Sequence, residues 1–254
     1  MDFVNVRYIG KKPNLKNPIL IEGLPGIGNV GKLAVEHLID TIKAKKFAEI
    51  HCKDFPPQVF INTDGTVKLA NNEFYYWKAK KRNQRDLILL TGDYQGLSST
   101  GQYNLVEKIL DICDEFGCKE LYTLGGYGLG HEIDDPKVLC ATTKKDIVKD
   151  MKKYGAIFKK NEPGGGIVGA SGLLLGLGGI RGIHGACFMG ETPGYLVDPK
   201  SAKAVLKILM KIVNVQVNLS ALEKKAKEIE YIAHQLREME GLSKEKTEEL
   251  KYIG

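Results

Sequence analysis

The chain has 254 residues, of which 43% are hydrophobic and 27% are charged, and its formal net charge is +6. This is the composition of a globular chain, and the length suits one large α/β domain or two small ones. The charges of both signs are interspersed, which argues against a nucleic-acid-binding protein, since such proteins concentrate basic residues in a stripe. The densest basic stretch, 78–85, is predicted to be a solvated loop between strands.

Nothing in the sequence predicts secretion or a membrane span. The first residues carry an early acid and no basic segment followed by an apolar one, so we expect no secretory signal. The longest uncharged run, 164–180, is too short and too rich in glycine to cross a membrane. Five cysteines without a C-x-x-C spacing predict a reducing, cytoplasmic environment and neither a disulfide framework nor a zinc ribbon. They are Cys52, Cys113, Cys118, Cys140 and Cys187.

Strand-like and helix-like segments alternate along the chain. Strands are predicted at 19–22, 49–53, 58–63, 66–69, 73–79, 87–91, 120–124, 138–142 and 185–189. Helices are predicted at 30–44, 105–116, 143–151, 170–177 and from Pro199 onwards, with Asp198 as the N-cap of the last. Asn71 and Asn72 tolerate positive φ, so they predict a hairpin turn between 66–69 and 73–79. The alternation predicts an α/β three-layer sandwich with a mostly parallel or mixed sheet.

A stripe of apolar residues near the C-terminus follows heptad spacing. It consists of Leu219, Leu222, Ala226, Ile229, Ala233 and Leu236. The stripe predicts a helix that either packs on its own domain or joins subunits in a homo-oligomer. We therefore divide the chain into a core domain, 1–216, and a C-terminal helical extension and tail, 217–254.

A glycine-rich turn follows the first predicted buried strand. Gly26, Gly28 and Gly31 spell G-x-G-x-x-G, the spacing of a dinucleotide-binding loop. Such a loop also needs an acid at the end of the second strand. Glu49 instead precedes the second extended segment, and we expect no bound cofactor. A tight turn and close helix–strand packing explain the glycines equally well.

The same turn leaves one binding alternative open. Backbone N–H groups at a helix N-terminus attract anions, so Gly26, Gly28, Asn29 and Gly31 could hold an anionic or nucleoside-like small molecule. An enzyme or a sensor would follow from that interpretation.

No set of residues predicts catalysis. Ser98 and Ser171 lie where helices begin, and capping is their expected role. The polar residues around His131 lack the spacing of a metal site, so we expect no metal. The sequence shows no nucleophile, base and orienting group in one signature.

Several glycine-containing segments occur together in an order that resembles the proteasome assembly chaperone family, in particular its archaeal members. The segments are 22–31, 89–95, 124–127, 166–174, 190–195 and Asp198–Pro199. The resemblance covers about residues 15–240. It implies a fold similar to the nucleoside phosphorylase type and a non-catalytic, ATP-independent chaperone that forms oligomers and binds proteasome α-ring subunits or a sister chaperone.

The resemblance also implies a role for the C-terminus. Several members end in a hydrophobic–Tyr–any-residue tail that docks between α subunits. The present chain ends in Tyr252-Ile253-Gly254, so isoleucine stands where tyrosine is expected. We expect Leu250, Tyr252, Ile253 and Gly254 to form the partner-binding tail, or the chain to assemble with a paralogue that carries the usual tail.

Overall fold

A computed structural model describes residues 2–158, 165–229 and 231. The strands are β1 (Val4–Tyr8), β2 (Ile19–Glu22), β3 (Lys45–Cys52), β4 (Val59–Ile61), β5 (Val67–Leu69), β6 (Asn72–Trp77), β7 (Leu87–Gly92), β8 (Glu120–Gly128), β9 (Val138–Thr142) and β10 (His184–Thr192). The helices are α1 (Val30–Ile42), α2 (Ser99–Glu115), α3 (Ile147–Tyr154), α4 (Ala170–Ile180) and α5 (Pro199–Val213). Residues 220–229 form a further helical segment.

Eight strands form one mixed sheet in the order β1-β3-β6-β7-β2-β8-β10-β9. The four central strands, β7, β2, β8 and β10, are parallel, whereas the flanking pairs are antiparallel. Every residue of β2 and β7 is buried, as expected for strands covered on both faces. The α/β class and the mixed sheet are therefore confirmed.

Helices cover the sheet on both faces and create two hydrophobic cores. On one face, α1 and α5 pack over the odd-numbered residues of β7, such as Leu87 and Leu89. On the other face, α2 and α4 pack over the even-numbered residues, such as Ile88 and Leu90. The period of two along each strand thus supplies both cores from one apolar run.

The predicted hairpin across Asn71 and Asn72 is wrong. β5 pairs with β4 in a separate two-stranded ribbon, while β6 joins the main sheet between β3 and β7. The turn of the ribbon lies at 62–65, where Gly65 takes a φ of +82°. The Asn62 amide donates to the Thr66 carbonyl at 2.8 Å, and the Gly65 amide donates to the Asn62 carbonyl at 2.9 Å. Neither Asn71 nor Asn72 has a positive φ, so these residues do not adopt the turn conformation on which the prediction was based. Strand β1 was not predicted.

Two of the three capping predictions are confirmed. Asp198 accepts a hydrogen bond from the Ser201 amide at 2.9 Å, and Ser98 accepts one from the Gly101 amide at 3.0 Å. Ser171 is not an N-cap, because α4 begins one residue after Gly169, whose φ of +92° favours glycine. The basic stretch 78–85 lies in the β6–β7 connection, as predicted.

The first part of the C-terminal stripe packs against the chain itself. Leu222 is 3% exposed within the core under α1 and α5, and Leu219 is partly buried against the same core. Ala226 and Ile229 are partly buried. Ala233 and Leu236 lie outside the described residues. Within the described ranges, no helix has both the length and the apolar character needed to cross a membrane.

Candidate functional site

Four loops meet at the carboxyl ends of the parallel strands, and we call this region the loop edge. It comprises residues 23–29 after β2, 93–98 after β7, 165–169 before α4 and 193–197 after β10. In open α/β sheets this is the edge where ligands and partners usually bind. The predicted anion-binding residues Gly26, Gly28, Asn29 and Gly31 lie at or beside the first of these loops.

Glycines in and beside the loop edge allow backbone segments to approach each other closely. A Cβ atom on Gly31 would lie 2.0 Å from the carbonyl oxygen of Leu124, and one on Gly126 would lie 2.3 Å from that of Ile27. Gly23 and Gly31 approach each other equally closely, since a Cβ on Gly23 would lie 2.2 Å from the Gly31 oxygen. Close helix–strand packing therefore accounts for the glycine at position 31.

The G-x-G-x-x-G spacing lies outside a dinucleotide-binding topology. In that topology the strand after the first helix is a parallel neighbour of the first strand. Here β3 follows α1, but it runs antiparallel to β6 and is separated from β2 by β6 and β7. Glu49 on β3 is engaged instead with Lys46, whose Nζ lies 2.5 Å from its Oε1.

The backbone of the first loop is partly engaged inside the protein. The Asp198 amide donates to the carbonyl oxygen of Gly28 at 2.8 Å, and the Asn29 amide donates to that of Gly26 at 2.9 Å. Lys32 directs its ammonium to the carbonyl oxygen of Gly92 at 2.5 Å. An anion would have to compete with these internal contacts, so the ligand-binding alternative gains no support from the geometry.

A glutamine ties three of the loops together. The side chain of Gln95 donates from Nε2 to the Pro25 carbonyl at 2.7 Å, and its Oε1 accepts from the Ala170 amide at 2.8 Å. The second contact satisfies a free N–H at the start of α4. One side chain from the β7 loop therefore fixes both the glycine turn and the entry to α4.

Glu22, at the end of β2, is a fully buried carboxyl group that was not predicted as a functional residue. Its two carboxylate oxygens accept hydrogen bonds from the Leu24 amide at 3.0 Å and from the Ser171 hydroxyl at 2.9 Å. Burial raises the pKa of Glu22 to about 7, although both hydrogen bonds act in the opposite direction. The signal that could have revealed it is a charged residue at the end of a strand whose other residues are all apolar.

Glu22 and Ser171 do not form a nucleophilic site in this conformation. A general base must have access to the proton that it removes from a substrate. Glu22 is 0% exposed, and the Ser171 hydroxyl is occupied by its hydrogen bond to that carboxylate. The pair instead fastens α4 to the end of β2.

The loop edge presents apolar side chains to solvent. Val168 is 95% exposed, and Ile27, Leu97 and Tyr195 are each exposed by half or more. They come from all four loops. Exposed apolar groups gathered in one region are typical of a protein-binding surface.

The remaining candidate groups are not assembled into a site. Within the ranges that the structure describes, no group of three or more His, Cys, Asp or Glu side chains could hold a metal ion. All five cysteines are free thiols and buried. The tail residues Leu250, Tyr252, Ile253 and Gly254 lie outside the described residues.

Comparison with known proteins agrees with this α/β architecture. The model of the PAC2 family matches residues 20–237. An uncharacterised protein of Methanocaldococcus jannaschii is 45% identical over 247 residues, which cover 94% of this chain and 93% of that protein. The crystal structure of Pyrococcus furiosus PbaB, an archaeal proteasome activator, is similar with a TM-score of 0.89 and 43% identity, over 93% of this chain and 100% of that chain.

A second solved structure extends the comparison. Pyrococcus furiosus PbaA, an archaeal homologue of proteasome-assembly chaperone, has a TM-score of 0.78 and 26% identity, over 97% of both chains. The chain is thus a mixed-sheet α/β protein with the same fold as PbaB and PbaA. The chain belongs to the PAC2 family.

Proposed function

We propose that this protein is a cytoplasmic, ATP-independent and non-catalytic factor that forms homo-oligomers and binds proteasome α-ring subunits or a sister chaperone. The observation that carries the proposal is the likeness to PbaB, described as an archaeal proteasome activator, along the whole length of that chain. The likeness to PbaA, described as a homologue of a proteasome-assembly chaperone, supports the same class of partner.

The geometry of the loop edge is consistent with a binding role. The glycine loops are packed against neighbouring backbone, and the buried carboxyl group of Glu22 is hydrogen-bonded to Ser171. What the loop edge offers to solvent is apolar side chains, which suit a protein partner better than a small polar substrate.

The C-terminal extension, 217–254, supplies the second contact in this proposal. Leu250, Tyr252, Ile253 and Gly254 would enter a pocket between α subunits with the terminal carboxylate facing a cation. Leu222 anchors the beginning of the extension to the core.

Capture of the proteasome tests this proposal. The full chain with an N-terminal tag should retain α-ring subunits from purified archaeal proteasome, and deletion of residues 252–254 should reduce retention at least tenfold. A variant with Leu97→Asp and Val168→Asp separates a contribution of the loop edge from that of the tail. Equal retention by a tagged, unrelated α/β protein would contradict the proposal.

A further inference from the structure

Helices α1 to α5 all end in the same hydrogen-bonded motif. In each of them, the amide of a residue just beyond the helix donates to the carbonyl oxygen five residues earlier, as in a Schellman motif. This motif brings the side chains of the two bonded residues against each other. The pairs are Ile39 and Ala44, Cys113 and Cys118, Met151 and Ala156, Gly178 and Ile183, and Met210 and Val215. At the end of α2, therefore, the two residues brought together are both cysteines.

The backbone at the end of α2 sets the distance between these cysteines. The Cys118 amide donates to the Cys113 carbonyl oxygen at 2.8 Å, and the Gly117 amide donates to that of Asp114 at 3.1 Å. Gly117 has a φ of +69°, the left-handed conformation that turns the chain back towards the helix. Because bond lengths are fixed, the first hydrogen bond limits the separation of the two Cα atoms to about 6.7 Å. Disulfides usually span about 4.4–6.8 Å between Cα atoms.

The two thiols are hydrogen-bonded to each other inside the core. Cys113 and Cys118 are both 0% exposed and lie in the core on the face covered by α2 and α4. The hydrogen bond to Cys118, together with burial, raises the pKa of Cys113 well above its usual range. A bond that raises the pKa favours the protonated form, so the S–H of Cys113 is the donor. The two sulfur atoms are therefore already directed at each other.

Cys118 lies close to the surface although it is buried. Its neighbours along the chain, Gly117 and Lys119, are both exposed. Helix ends open more readily than helix interiors, so a local opening at the end of α2 is enough to expose the Cys118 sulfur. A reagent in solution therefore reaches this thiol more slowly than a surface thiol, but without unfolding of the sheet.

We propose that Cys113 and Cys118 form a reversible disulfide by exchange with a low-molecular-weight disulfide. The Cys118 thiolate attacks one sulfur of the small disulfide, which forms a mixed disulfide and releases one small thiol. The Cys113 thiolate then attacks the Cys118 sulfur, which forms the bond within the chain and releases the second small thiol. The protein loses two electrons and two protons, and the small disulfide gains both. A reducing environment returns the pair to the free thiols of the present structure.

The disulfide would fasten the end of α2 next to a central strand of the sheet. β8 begins at Glu120, two residues after Cys118, and lies between β2 and β10. Closing a short loop with a disulfide restricts the unfolded chain and so stabilises the folded one. The proposal depends only on this pair of thiols and not on oligomer formation or on binding to the proteasome.

Counting free thiols after oxidation tests the proposal. The folded full chain is equilibrated with oxidised glutathione, and its remaining thiols are blocked with N-ethylmaleimide in denaturant before mass spectrometry. We expect two fewer adducts than the five of the reduced chain, no bound glutathione, and a peptide map that joins Cys113 to Cys118. Five adducts in a strongly oxidising mixture, or a bond between other cysteines, would overturn the proposal.

Single substitutions test the order of the two steps. Cys113→Ser should stop the reaction at a mixed disulfide between Cys118 and glutathione, because the second thiol is missing. Cys140→Ser is the matched control, since Cys140 is also buried but lies in the core on the other face of the sheet. The control should form the Cys113–Cys118 bond to the same extent as the wild type. A disulfide within the chain of Cys113→Ser, or none in Cys140→Ser, would contradict this pairing.

Thermal unfolding measures the effect of the bond on stability. The oxidised chain should melt several degrees above the reduced chain, and dithiothreitol should reverse the increase. Cys118→Ser should melt at the same temperature with and without oxidised glutathione. A lower melting temperature for the oxidised wild type would show that the bond strains the end of α2, which would overturn its stabilising role.

Discussion

At the scale of single residues, Glu22 is a carboxyl group whose surroundings differ strongly from those of the free side chain in water. It is fully buried, and burial raises its pKa from 4.5 to about 7. The native state therefore holds a proton that the unfolded state releases between these two pH values. Stability should fall as pH rises from 4.5, and the loss should be complete above about pH 7.

Replacing Glu22 by glutamine should remove this pH dependence. Glutamine has the shape of the protonated acid and keeps an acceptor for the Leu24 amide. From the shift of the Glu22 pKa, the free energy of unfolding of Glu22→Gln should exceed that of the wild type by up to about 3 kcal/mol at pH 8 and by almost nothing at pH 5. Chemical denaturation at both pH values measures this, with Glu107→Gln on the exposed side of α2 as the control. If the stability of the wild type and that of Glu22→Gln changed equally between the two pH values, Glu22 would not be the titrating group.

Gly31 is one of the residues at which the fold leaves no room for a side chain. A methyl group there would meet the backbone oxygen of Leu124 at 2.0 Å, and backbone cannot move aside as a flexible side chain can. Gly31→Ala should therefore lower the free energy of unfolding by about 3 kcal/mol or more. Gly176→Ala, inside α4 with open space around it, should instead stabilise by about 0.5–1 kcal/mol. Thermal melts of the two variants compare them, and similar shifts would contradict the close packing at Gly31.

At the scale of elements, the helical segment 220–229 begins in the hydrophobic core and becomes more exposed towards its end. Leu222 belongs to the core under α1 and α5, whereas Ile229, two turns later, is only partly buried. The beginning of the apolar stripe is thus intramolecular. Contacts between subunits, if the stripe makes them, belong to its later part.

Single substitutions should separate the two parts of the stripe. Leu222→Asp places a charge in the core and should destabilise the protein by about 3–5 kcal/mol. Ile229→Asp should leave the melting temperature within a few degrees and lower the oligomeric state. Calorimetry and light scattering on the same samples distinguish these effects. An unchanged mass for Ile229→Asp would assign the described part of the stripe to its own domain.

The sequence predicted those elements whose signal is local. The unbroken apolar run of β7 and the Asp198–Pro199 start of α5 specify their structure without knowledge of the partner. The pairing of β5 with β4 instead of β6 is a choice between two nearby turns, and local propensity favoured Asn71–Asn72 over the turn that contains Gly65. Strand β1 lies at the edge of the sheet, and Val4 is its only buried residue, so it has no buried apolar run from which a strand could be predicted.

The candidate site was predictable only in part, because local sequence patterns do not show which distant residues the fold brings together. The glycine turn of the loop edge was found from its spacing, but its role depends on Leu124 and Ile27, which only the fold brings near. The bond from Ser171 to Glu22 spans 149 residues, so the serine was assigned to capping, the commoner local role. The two hydrogen bonds by which Gln95 joins the loops could not be predicted from the sequence, because glutamine has no characteristic sequence pattern.

At the scale of the whole molecule, the proposed docking depends on how many tails act together. One tail contributes a carboxylate contact of about 1.5–3 kcal/mol and the burial of a few apolar groups, which gives weak binding. In an oligomer each further tail binds at a high effective concentration, so the overall affinity exceeds that of one tail by orders of magnitude. Oligomer formation and ring binding are therefore linked in this proposal.

Restoring the usual order of the tail tests this link. Lys251→Leu, Tyr252→Val and Ile253→Tyr together place tyrosine next to the last residue, where the family tail carries it. Every tail in the oligomer gains the same contact. The decrease in the rate of release from immobilised α-rings should therefore be much larger for the oligomer than for a monomeric variant with the same tail. Surface plasmon resonance on both forms measures the two release rates. Equal gains in the two forms would show that the tails act singly, and no gain in either would place ring binding on the loop edge.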